Sequence, residues 1–82
     1  MQHKTLSKEA FGNNNWFVEI ELNPENDFEE KAIQNVEIGV STAEEMDMVE
    51  NYLISSLSGM SIINLVRQKG NVFAVTATNM SP

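Results

Sequence analysis

A chain of 82 residues that is 41% hydrophobic and 21% charged suits one small soluble domain rather than a disordered segment. Five Lys and Arg against twelve Asp and Glu leave a formal charge of -7, which opposes direct binding to a nucleic-acid backbone or an anionic membrane and favours a basic-surfaced protein as partner. The chain has no cysteine, which excludes a disulfide framework, a thiolate metal cage and a Cys nucleophile.

Residues 1–15 read as an N-terminal tail or a short helix in which Leu6, Ala10 and Phe11 share one side and Gly12 closes the segment. The opening MQHKTLSKEAF lacks the apolar core of a secretory signal. No apolar run approaches the roughly 18 residues of a membrane span, so the expected location is cytoplasmic. Residues 16–80 read as a single domain.

From Trp16 to Leu22 the pattern alternates with period two: Trp16, Val18, Ile20 and Leu22 fall on one face, and Phe17, Glu19 and Glu21 on the other. A half-buried strand has this pattern. Asn23-Pro24 ends it, because proline lacks the N–H that a ladder needs. Residues 28–34 read as a loop or a single turn capped by Asp27 and Glu30, with a second helix as the alternative. Alternation returns from Asn35 to Val40 and predicts a second strand, with Val36, Ile38 and Val40 inward and Glu37 outward.

Ser41-Thr42-Ala43-Glu44 has the form of a capping box. It opens a helix expected from about Thr42 to Ser58, with Met46, Val49, Leu53 and Leu57 as its buried stripe and Gly59 as its stop. Ser61–Arg67 and Val72–Thr78 then read as a hairpin across Gln68-Lys69-Gly70-Asn71. A two-residue turn there puts Ile62, Asn64, Val66, Phe73, Val75 and Ala77 on one face. Ile63, Leu65, Arg67, Val72, Ala74 and Thr76 fall on the other. The expected fold is α+β, a four-stranded mainly antiparallel sheet in the order β-β-α-β-β with one amphipathic helix packed on one face.

Groups able to run catalysis are scarce. His3, the single histidine, sits near the terminus, and no internal histidine stands ready to activate Ser55, Ser56, Ser58 or Ser61. Glu19, Glu21 and Glu37 read as a solvated strand face, and Glu44, Glu45, Asp47 and Glu50 as one helix face, which does not surround a metal with oxygens from several elements. Four scattered glycines make no phosphate loop. Trp16, Phe17 and Phe73 lack the positive groove that single-stranded nucleic acid requires. The sequence therefore predicts no catalytic residue, no cofactor and no metal.

Two surface features remain. Eleven of the twelve acids lie within residues 19–50. Glu19, Glu21, Glu37, Glu44, Glu45 and Asp47 are the expected contacts to a basic partner. Small acidic chains of this kind include antitoxins, immunity proteins and phage-encoded inhibitors of nucleic-acid-processing enzymes, an analogy of size and charge alone. The second feature is the apolar hairpin. One helix covers one sheet face, so Ile63, Leu65, Arg67 and Val72 are expected to form the contact of a homodimer. Self-association as a structural subunit is the alternative function.

Overall fold

The computed structural model describes residues 1–79, apart from the side chain of Arg67. The elements run β1 (Gln2–Phe11), β2 (Asn15–Asn23), α1 (Asp27–Glu37), α2 (Ala43–Ser56), β3 (Met60–Lys69) and β4 (Val72–Asn79). The fold is α+β with an antiparallel sheet, as the sequence suggests, but it has two helices, and its strands are not all the expected ones. Among the described residues no helix is long and apolar enough to cross a membrane.

The N-terminal segment, expected as a tail or short helix, is strand β1. It pairs antiparallel with β2 from Gln2↔Asn23 to Phe11↔Asn15. The chain reverses between them through Gly12 (φ 58°) and Asn14 (φ 67°), left-handed conformations that glycine and asparagine tolerate best. Residues 2–10 are exposed on both sides, so the strand carries no apolar alternation.

The expected strand over residues 35–40 does not form, and residues 28–34 adopt the alternative, a helix. Asn26, not Asp27, is the N-cap of α1, its Oδ1 accepting from the Glu29 N–H at 2.8 Å. Ala32 and Ile33 are buried and Val36 packs beside them, a spacing that fits a helix as well as a strand. Ile38 and Val40 are 67% and 62% exposed, so no buried face rewards extension. Helix α2 starts one residue later than its first matching motif suggests. Thr42 and Glu45 make the reciprocal capping bonds, at 3.1 and 2.9 Å, and Ser41 and Glu44 do not form the box. Val49 and Leu53 are buried in α2 and Leu57 just beyond it. Gly59 then turns with φ 77°.

The strand order is β1-β2-β4-β3, every neighbouring pair antiparallel. Val18, Ile20 and Leu22 of β2 and Phe73, Val75 and Ala77 of β4 form one cluster with Ile33, Val49, Leu53, Leu57 and Met60. Each fully buried large aliphatic or aromatic side chain contributes roughly 1.5–3 kcal/mol relative to exposure. The helices lie over this face and leave the other uncovered.

The hairpin of β3 and β4 departs from the expected two faces. Ile62 pairs with Ala77, but the next pair is Asn64↔Thr76, so Ile63 is an extra residue in a β-bulge. One inserted residue reverses the side on which the following side chains fall, as far as the next irregularity. Leu65, across from Val75, is therefore half-buried against the core, whereas Val66, across from Ala74, is 53% exposed on the open face. A second bulge between Arg67 and Lys69 follows.

Candidate functional site

The open face is built by the residues that alternate with the core of β2. Register places them in rows across the four strands. Lys4, Glu21, Val72 and Lys69 form one row, and Ser7, Glu19, Ala74 and Val66 the next. Glu9, Phe17, Thr76 and Asn64 form the third. A shallow depression of about 430 Å³ runs over the second and third rows and reaches Gln68.

The rows differ in charge. Lys4 and Lys69 both belong to the row of Glu21, so that carboxylate has a cation across from it. Glu9 and Glu19 occupy rows that contain no Lys or Arg. They lie diagonally across the β1–β2 pair, a relationship that sets Cα atoms roughly 7–8 Å apart. The Ser7 hydroxyl donates to Glu19 Oε1 at 2.7 Å, which holds that carboxylate in place and leaves its second oxygen for another donor. Phe17, directly across from Glu9 and two residues from Glu19 on β2, is 50% exposed and stacks on Phe11 with ring centroids 3.9 Å apart and planes 11° from parallel. An aromatic face flanked by carboxylates suits a guanidinium or ammonium, which stacks on the ring while donating to the acids.

The other expected contacts lie elsewhere. Glu44 and Asp47 are exposed on α2 and Glu37 is exposed at the end of α1, in the helical layer on the opposite side of the sheet from Glu19 and Glu21. Glu45 is a correction to the expected set. It is 8% exposed, and its oxygens accept from the Thr42 N–H and from Asn35 Nδ2. Those bonds, the Thr42 N–H foremost, hold its carboxyl below the ordinary value of 4.5. It joins α1 to α2 and is not a surface contact.

Glu29 is the second buried acid, 6% exposed. It accepts from the Glu25 N–H at 2.9 Å and from the Met1 amino group at 3.0 Å, and its pKa is lowered first by the Glu25 bond and then by Met1. It fastens the start of β1 to the helical layer. Among the described residues no three His, Cys, Asp or Glu side chains gather as a metal site.

The expected self-association set is also divided. Ile63 is 59% exposed at the bulge, Leu65 turns to the core, and Val72 is half-buried on the open face. The side chain of Arg67 lies outside the described residues. Ser7, Glu9 and Phe11 were missed because β1 has no buried face to announce it. The one available signal was the Gly12-Asn13-Asn14 turn immediately before a clear strand.

No family model matches this chain, and no curated protein or solved structure matches it.

Proposed function

We propose that the protein is a non-catalytic acidic binding module that docks a basic-surfaced partner protein on the open face of its sheet, as an inhibitor or modulator of that partner. The observation that carries this reading is the pair of adjacent rows holding Glu9 and Glu19 around the exposed Phe17 ring, with no Lys or Arg in either row. A partner Arg or Lys satisfies the second Glu19 oxygen and the Glu9 carboxylate, and its stem covers Phe17. Surfaces that hold a nucleic-acid backbone have this chemistry, which makes a nucleic-acid-processing enzyme the favoured class of partner. Rim carboxylates speed association, and the aromatic centre carries more of the affinity.

The test is capture of partners from the native host at low and high salt by three proteins: the unaltered chain, a Glu9→Lys/Glu19→Lys variant and a Glu44→Lys/Asp47→Lys variant. Circular dichroism first establishes that each is folded. A salt-sensitive partner is expected to be lost by the open-face variant and kept by the helix variant. A partner held equally by both variants rules out this face.

A further inference from the structure

We propose that the hollow beside Phe17 on the open face selects arginine over lysine on the partner. The inference rests on the docking reading above and names the side chain that fills the site. Phe11 stacks flat on one side of the Phe17 ring. Phe17 lines the depression and Phe11 does not, so the uncovered side of the ring borders the hollow. The neighbours of Glu19 across the sheet are small, Ser7 on β1 and Ala74 on β4, and they leave room beside the ring. Among the described residues no Lys or Arg lines the hollow. Lys8 of β1 is turned to the other side of the sheet, where its ammonium lies 4.7 Å from the centroid of the Trp16 ring.

Shape, acceptor placement and burial all favour a guanidinium here. A guanidinium is planar and stacks on a ring face, whereas an ammonium is a compact, strongly hydrated charge. The acceptors lie apart. Ser7 already donates to Glu19 Oε1, so Glu19 offers its second oxygen most freely, and Glu9 stands diagonally on the neighbouring strand. The fork of a guanidinium carries N–H donors on separate edges and reaches both carboxylates while it lies on the ring; an ammonium concentrates its donors at one point. Thr76, directly across from Phe17 on β4, supplies a hydroxyl acceptor on the side away from Glu9. Glu19 is also half-buried, so pairing with it strips water from the cation. That costs a guanidinium less than an ammonium, because the guanidinium is the more weakly hydrated of the two.

Two capped peptides of equal charge, Gly-Arg-Gly-Arg-Gly and Gly-Lys-Gly-Lys-Gly, test this when titrated at low salt into the intact, isotope-labelled chain while its backbone amide shifts are followed. Both peptides are expected to move the amides of Ser7, Glu9, Phe17, Glu19 and Thr76, and the arginine peptide to bind about fivefold more tightly. Phe17→Leu, shown to be folded by its own spectrum, should bring the two peptides within about twofold of each other. Glu44→Gln/Asp47→Gln on the helical side should keep the preference. Equal binding of the two peptides at this face, or a preference that survives Phe17→Leu, would overturn arginine selection and leave the acidic docking face standing. Peptides that leave the open-face amides unmoved would overturn both.

Discussion

Asn35 and Glu45 join the two helices: the Asn35 side-chain amide donates to both Glu45 oxygens, at 3.0 and 2.9 Å. The same carboxylate accepts from the Thr42 N–H at the start of α2. Loss of Asn35 leaves a nearly buried carboxylate short of donors, and loss of Thr42 leaves the helix without its cap. Asn35→Ala should lower Tm by about 4–8 °C, and Thr42→Ala should destabilise by about 0.5–2 kcal/mol. Glu44→Gln, at an exposed neighbour outside the box, should be close to neutral. Thermal and urea denaturation check the ranking.

The Met1 amino group gives stability a dependence on alkaline pH. The bonds it donates to Glu25 at 2.8 Å and to Glu29 at 3.0 Å raise its pKa from 8.0 to about 11, Glu25 the larger cause. A pKa raised on folding means that the contribution is complete below pH 8 and is lost as pH rises through about 11. Glu29 and Glu45 act in the other direction. Their pKa values are lowered from 4.5, so their contribution is complete above that value and disappears as pH falls below it. Tm measured from pH 7 to 11 should decline, and Glu29→Gln should flatten the decline. An equal slope in the variant would show that Glu29 does not hold the amine.

The bulge at Ile63 makes neighbouring residues unequal. Leu65→Ala should destabilise by about 1–2 kcal/mol, roughly half the effect at a fully buried leucine. Val66→Thr should stay within about 0.5 kcal/mol. Urea denaturation at concentrations that keep the chain monomeric measures both. An unbroken register would reverse the order, because Val66 would then face the helices.

The readings that held rest on local patterns. Trp16–Leu22 was legible because its alternation coincides with a buried face, Val18, Ile20 and Leu22 all being at or near zero exposure. The helix over Val49 and Leu53 was legible from its spacing. Its cap was ambiguous by one residue, because Ser41/Glu44 and Thr42/Glu45 both satisfy the same motif. Residues 35–40 misled because Ala32, Ile33 and Val36 serve a helix as readily as Val36, Ile38 and Val40 serve a strand.

For the candidate site, Glu19 and Phe17 could be placed on one strand face from the sequence, but not their neighbours. Ser7, Glu9 and Phe11 join them only because β1 pairs with β2, and a strand exposed on both sides leaves no hydrophobic period to read. The acidic stretch looked like one surface and is divided between the two sides of the sheet, with Glu45 withdrawn into the helix–helix contact.

The sequence by itself determined the charge, the amphipathic helix over Val49 and Leu53, the core face of β2 and the two strands of the last hairpin, all of them properties of side chains a few positions apart. The tertiary structure alone decided that residues 2–11 are an edge strand, that Leu65 turns inward and Val66 outward, and that Glu9 comes beside Phe17 and Glu19. Each of these depends on what lies across a strand or over a sheet face. A single extra residue at Ile63 shows why: it leaves the local pattern nearly unchanged and moves Asn64, Leu65 and Val66 to the other side of the sheet.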